Sequence, residues 1–232
     1  MIFTHLFFQA LDDWQKGWKE DQQRKDKLAE ILEEECAKLP RIYKEVPEEC
    51  FRKRFLHKGE FVDILLNDEK HEGITSWTTD LNWAERFKGL WREDVITAAI
   101  FRCTPNDEEV ILNISCLWNS PDFQKELSQF QRVEPDHCKA ILNFKNLQSE
   151  VILKTVLRGS EIIALTGFSS PFEDLCERAN ISEDRRDELF AQFIEEGRYP
   201  EGVSYIKDEN AQRAIKNTIR KFLEKVLAMT EN

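Results

Sequence analysis

The chain has 232 residues, of which 41% are hydrophobic and 33% charged, so it can bury one sizeable core as a single large domain or a domain with a helical appendage. A formal net charge of −11 removes generic attraction to nucleic-acid backbones or anionic membranes as the default expectation, while leaving room for a local basic patch. The 6 cysteines are far apart, with no C-x-x-C and no histidine at zinc spacing, and read as free, buried thiols of a reducing compartment.

The apolar start at Ile2, Phe3, Leu6, Phe7 and Phe8 is interrupted by His5 and Gln9 and followed by Asp12 and Asp13. It lacks the features of a signal peptide, and no run approaches a membrane span, so a soluble, cytoplasmic protein is expected. Phe3, Phe7, Ala10, Leu11, Trp14 and Trp18 recur at helical spacing, as do Leu28, Ile31, Leu32, Cys36 and Leu39. This is one bent helix or two, broken near Gly17 and finished before Pro40, with its apolar stripe packed on the body or on a partner helix.

After Pro47 the pattern turns to strand and loop. The run from Cys50 to Lys58 reads as a strand stopped by Gly59, a helix follows over 60–66, and Asn67 to Glu72 reads as a polar loop. Ile74, Ser76 and Thr78 then alternate with Thr75 and Trp77, placing two hydroxyls on one strand face. Thr79 or Asp80 caps the helix that carries Leu81, Ala84 and Phe87. Val95 to Cys103 is apolar enough for a strand buried on both faces, and Glu109 to Leu117 reads as another strand.

Ser120-Pro121 starts a helix with Phe123, Leu127 and Phe130 on its buried side, and a second helical piece follows Pro135. Glu150 to Arg158 is a β-branched strand expected to form a hairpin with Glu161 to Thr166. Beyond it Ser170-Pro171-Phe172-Glu173 is a capping box, Ser182 opens a helix with Leu189, Phe190 and Phe193, and Gly197 to Gly202 breaks it. The last helix carries Ala211, Ile215, Ile219, Phe222, Leu223, Val226 and Leu227 on one stripe. The resulting plan is α+β, with an N-terminal helical segment over 1–47, a mixed core over 48–168 and a C-terminal helical segment over 169–232.

Three pieces of that core carry chemistry if they meet in one cleft: the glycine-closed strand end Lys58-Gly59, the Ser76-Trp77-Thr78 element, and Gln148-Ser149-Glu150 ahead of an apolar strand. By strand parity Gln148 and Glu150 point the same way, and a carboxylate at the mouth of an apolar strand needs partners, for which Ser76 is a candidate. Each piece also has a plain structural explanation, the hydroxyls in a strand-to-helix turn and the charges of Arg52, Arg54 and Lys58 as protection of an edge strand. The four histidines show no metal-ligand spacing, and no metal is expected.

In order and spacing these pieces resemble the mono-ADP-ribosyltransferase (ART) fold family, over roughly residues 50–165. Its members carry Arg or His before a glycine on the first core strand, a Ser-x-Ser/Thr element on the next, and a Glu preceded two positions earlier by Glu or Gln on a later strand. The resemblance implies an ART-like split antiparallel β core flanked by the terminal helices, with NAD as donor and a macromolecule, protein or nucleic acid, as acceptor. It makes Glu150 the catalytic carboxylate, Gln148 the residue that orients the acceptor, and Ser76 the partner of Glu150 in the ribose pocket, with Thr78 in support. Gly59 would present its backbone to nicotinamide, Trp77 or Phe87 would wall the base, and Lys58 stands where the family has Arg or His. Arg52 or Arg54 would then supply the guanidinium. The alternative reading is a catalytically silent module of the same fold that binds a protein partner through its terminal helices.

Overall fold

Strands β1 (Cys50–Leu56), β2 (Lys70–Thr78), β3 (Thr97–Cys103), β4 (Val110–Asn113), β5 (Glu150–Leu157), β6 (Ile162–Gly167) and β7 (Ser204–Lys207) form one antiparallel sheet in the order β4-β5-β2-β1-β3-β6-β7. This computed structural model describes residues 2–17, 21–90, 92, 95–167, 176, 179–182, 185–186, 188–189, 192, 196 and 204–230. Helices α1 (His5–Lys16), α2 (Gln22–Ala37), α3 (Lys58–Asn67), α4 (Leu81–Arg86), α5 (Ile114–Trp118), α6 (Pro121–Val133), α7 (Lys139–Phe144) and α8 (Asp208–Thr230) flank it. The class is α+β, as the alternation of patterns implies. Trp18, the capping box at Ser170-Pro171-Phe172-Glu173, the positions Phe190 and Phe193 and the break over 197–202 lie outside the described residues.

The sheet is held unevenly. β1 pairs with β3 along its whole length, from Cys50↔Cys103 to Leu56↔Thr97, and β2 pairs with β5 from Lys70↔Leu157 to Thr78↔Glu150. β1 and β2 meet at the single register pair Phe51↔Thr78. The sheet is therefore two halves, β4-β5-β2 and β1-β3-β6-β7, hinged at one end of the β1/β2 seam.

The expected hairpin of β5 with β6 does not form. Both edges of β5 are taken, by β4 and β2, and β6 lies between β3 and β7. β5 and β6 both run parallel to β1, yet only the 3-10 turn Gly159–Glu161 and Arg158 separate them. The five Cα steps from Leu157 to Ile162 reach at most about 18 Å, so the two halves must bend toward each other for the end of β5 to meet the start of β6. Gly159 lies where that link crosses α3: a Cβ there would stand 3.1 Å from the Ile64 carbonyl oxygen.

Two further expectations change. β2 begins at Lys70 rather than at Gly73, the polar residues 70–72 being strand with a bulge between His71 and Ile74. β4 ends at Asn113, whose side chain accepts from the Cys116 N–H and so opens α5 in place of further strand. This is cap chemistry overriding an apolar run.

The N-terminal helices are part of the main body. Phe3, Phe7, Phe8 and Leu11 share one buried cluster with Phe123 and Phe130 of α6 and with Ile74, Leu112 and Ile152 of the sheet. Phe8 stacks on Phe130 at 5.0 Å between ring centroids, and Phe3 meets Phe123 edge-on at 5.3 Å. On the opposite face Trp77, Val151, Leu153 and Phe101 pack with Ile64 of α3 and with Ala211 and Ile215 of α8. The later apolar positions of α8, Phe222, Leu223 and Val226, are exposed. Phe8→Ala, by removing a fully buried ring from this cluster, is expected to lower unfolding free energy by about 3–5 kcal/mol, read from urea denaturation with an unchanged m-value.

Candidate functional site

Glu150 opens β5 directly opposite Thr78, which puts its carboxylate diagonally across from Ser76 on the same sheet face. One oxygen accepts a short hydrogen bond from Ser76 Oγ and the other accepts from Gln15 Nε2 of α1 at 3.2 Å. The residue is 6% exposed. Burial pushes its carboxyl above the ordinary carboxylate range, against the opposing pull of the Ser76 and Gln15 hydrogen bonds.

The approach to Glu150 is pinned by the neighbouring strand. Thr78 Oγ1 donates to the Gln148 carbonyl at 2.6 Å, and the Thr79 N–H donates to the Ser149 carbonyl at 3.1 Å. Ser149 adopts φ 44°, a left-handed backbone uncommon for a residue with a side chain. That turn breaks the parity expected of Gln148 and Glu150. Gln148 lines the neighbouring cleft, while Glu150 turns to Ser76 and Gln15.

The cleft holds about 220 Å³ between β1, β2 and α4, with Phe51, Lys53, Ser76, Trp83, Phe87 and Gln148 on its walls. Asp80 caps α4 by accepting from the Asn82 and Trp83 N–H groups, which turns Trp83 and Phe87, four apart, to one side. Trp77 borders the cleft, but its ring belongs to the core cluster on the far face and its indole N–H donates to Thr75 Oγ1 at 3.0 Å. The aromatic side chains on the cleft wall are therefore Phe51, Trp83 and Phe87.

Lys53 steadies that wall. Its ammonium donates to the Glu85 carbonyl at 3.1 Å and to the Gly89 carbonyl, and it lies 5.2 Å from the Tyr205 ring centroid. Tyr205 Oη donates to the same Glu85 carbonyl at 2.9 Å. Burial lowers the Lys53 pKa to about 8, with Glu85 pulling the other way.

Arg52 stands where β1 and β2 part. Nη1 donates to the Ser76 carbonyl at 2.6 Å, and Nη2 pairs with Glu72 at 3.1 Å. Arg54, on the same side of β1, reaches Glu72 at 2.7 Å and Glu60 at 2.9 Å. Beyond Arg52 and Ser76 a second pocket of about 140 Å³ is lined by Trp14, Lys25, Leu28 and Ile74, so the two cavities adjoin along the seam.

Lys58 and Gly59 are not part of this arrangement. They form the first turn of α3, past the far end of β1, whereas Phe51 at the other end is level with Thr78 and hence with Glu150. Strand rise over the 7 residues of β1 makes that separation about 20 Å. A Cβ on Gly59 would meet nothing within 4 Å, so no close backbone approach calls for glycine there. The reason is local: Glu60 reaches back to the His57 N–H, closing a capping box that begins a helix where a strand end was expected.

Gln15, Trp83 and Lys53 were missed. Trp83 was findable from its i,i+4 relation to Phe87 on a capped helix; nothing local in sequence joins Gln15 or Lys53 to the site. Among the described residues no group of three or more His, Cys, Asp or Glu is placed to hold a metal. Cys50 and Cys103 face each other across β1 and β3 as free thiols, and burial raises Cys50 to about 12. No described helix is long and apolar enough to cross a membrane. No protein-family model, curated protein or solved structure matches the chain.

Because folding raises the Glu150 pKa, the folded state holds that proton more tightly than the unfolded chain. Its contribution to stability therefore falls as pH rises from the ordinary carboxylate range through the folded value. Glu150→Gln keeps an acceptor for Ser76 and offers an amide to the Gln15 carbonyl oxygen, which is buried without a hydrogen-bond partner. The variant should melt a few degrees higher than wild type at pH 7, and the gap should close toward pH 4 in paired thermal scans.

Proposed function

We propose that the chain is an NAD-dependent mono-ADP-ribosyltransferase of ART-like fold, transferring ADP-ribose to an intracellular macromolecule, protein or nucleic acid. The observation that carries this reading is the buried Glu150 carboxylate, oriented by Ser76 of the adjacent strand, which itself lines an aromatic cleft in a split antiparallel sheet. Glu150, Ser76 and Arg52 come from β5, β2 and β1, three consecutive strands, in keeping with the glutamate, serine and arginine elements of the family.

In this reading the nicotinamide ring lies against Trp83 and Phe87, and Glu150 accepts a hydrogen bond from the 2′-hydroxyl of its ribose. The glycosidic C1′–N bond breaks with its electron pair leaving on nicotinamide, and the carboxylate stabilises the oxocarbenium-like charge at C1′. The acceptor's nucleophile bonds to C1′ and releases its proton to solvent. Gln148, on the cleft wall, orients that acceptor. Arg52 takes the family's basic position in place of Lys58, as a bracket between strands whose donors already hold Glu72 and the Ser76 carbonyl.

That engagement favours a second reading. With Arg52 and Arg54 neutralised by Glu72 and Glu60, and Glu150 nearly covered, the same fold would serve as a catalytically silent module binding a protein partner. Nicotinamide release separates the two. Wild type should release nicotinamide from NAD, and Glu150→Gln should lose at least about 100-fold in turnover while binding NAD within a few-fold of wild type by calorimetry. No heat at millimolar NAD would favour the silent module, and unchanged turnover in Glu150→Gln would reject the site.

A further inference from the structure

We propose that Gln15, on the N-terminal helix and outside the ART-like core, is a positioning residue that holds Glu150 in its working orientation. The inference rests on the transferase reading for its purpose, but on geometry for its content. Gln15 Nε2 reaches Glu150 Oε2 at 3.2 Å across 135 positions of sequence. An ionised carboxylate only accepts, so the amide must present its N–H₂ to it.

Gln15 is placed by rigid structure. One turn earlier, Asp12 is fully buried, accepts from the Ala140 N–H at 2.7 Å at the start of α7, and pairs with Lys16 at 2.7 Å. Phe8 and Leu11 of the same helix are in the aromatic core. α1 cannot slide along the sheet without breaking these contacts, so the position of the Gln15 amide is fixed relative to β5.

The chemistry suits a carboxylate that must keep its charge. Ser76 holds one oxygen and Gln15 the other, and two oxygens with about four acceptor positions keep lone pairs unused by these two donors. Both holders are neutral. Of the cations nearby, Lys16 is paired with Asp12 and Asp13 and Arg52 with Glu72. A lysine at position 15 would orient the carboxylate equally well but cancel the field that a developing cation needs. The Gln15 carbonyl oxygen, buried and without a protein partner, remains able to accept from a bound donor.

Gln15→Leu and Gln15→Met remove the donor while approximating the side chain's bulk. In the ligand-free protein, carboxyl-carbon NMR of labelled glutamate should show the Glu150 titration moved up by about one pH unit in both variants. In nicotinamide release both should lose about tenfold or more in kcat with KM within twofold, the acid limb of the pH profile moving up likewise, and Gln15→His should restore part of it. An unmoved Glu150 titration in two folded variants overturns the proposal, as does faster turnover, which would make Gln15 an obstruction. If wild type never turns over NAD the transferase reading fails, and the ligand-free titration still decides whether Gln15 holds Glu150.

Discussion

The parting of β1 from β2 is the constraint on which the rest depends. The strands share the register pair Phe51↔Thr78 and then diverge, because the short Arg158–Glu161 link forces the ends of β5 and β6 together. Divergence exposes backbone that a continuous ladder would satisfy, and an unpaired buried carbonyl is expensive. Arg52 answers this by donating to the Ser76 carbonyl, and Glu72 in turn answers the guanidinium. The same divergence opens the cleft. Site and seam are one feature seen from two sides.

A helix borders each of the two adjoining cavities, α4 the cleft and α1 the second pocket, and each is tied to the body by buried polar groups. α4 is held through Lys53 and Tyr205 on the Glu85 carbonyl, and α1 through Asp12 on the N-terminus of α7 and Gln15 on Glu150. The N-terminal segment, whose stripe was expected on the body or on a partner helix, supplies both a hydrophobic wall and a polar contact to Glu150. Removing it would take the Phe3–Phe8 cluster out of the core as well as uncover the carboxylate.

Much of this was legible in order along the chain. Caps announced the helices after Thr79-Asp80 and at Ser120, alternation announced β2, and a nearly all-apolar run announced β3, which is buried on both faces except at Arg102. The pairing of Ser76 with Glu150 was readable because a carboxylate at the start of a buried strand must find a donor. What failed did so where one residue's backbone or one cap outweighed a pattern. Ser149 at φ 44° undoes the parity of Gln148 and Glu150, the Glu60 box turns Gly59 into helix, and Asn113 stops β4. The β5–β6 hairpin failed because a tight Gly-Ser turn looks the same in sequence whether the strands it joins pair or cross to different halves of a sheet. Gln15 was beyond reach, since its partner is fixed by the packing of α1 and by nothing near it in the chain.

Two acidic side chains near the seam are treated differently, and the contrast bears on what the site is for. Glu72 is met by Arg52 and Arg54, the arrangement expected of a carboxylate whose task is to join strands, since a buried charge left without its partner is costly. Glu150 is buried and receives only a hydroxyl and an amide, so burial raises its carboxyl above the ordinary range and the folded state is the less stable for keeping it charged. A structural role gives no reason for withholding a cation where two stand on β1, the next strand but one. A centre that must oppose a positive charge arising on a ligand does, because a counter-ion already in place would leave the carboxylate little to offer at the moment of reaction.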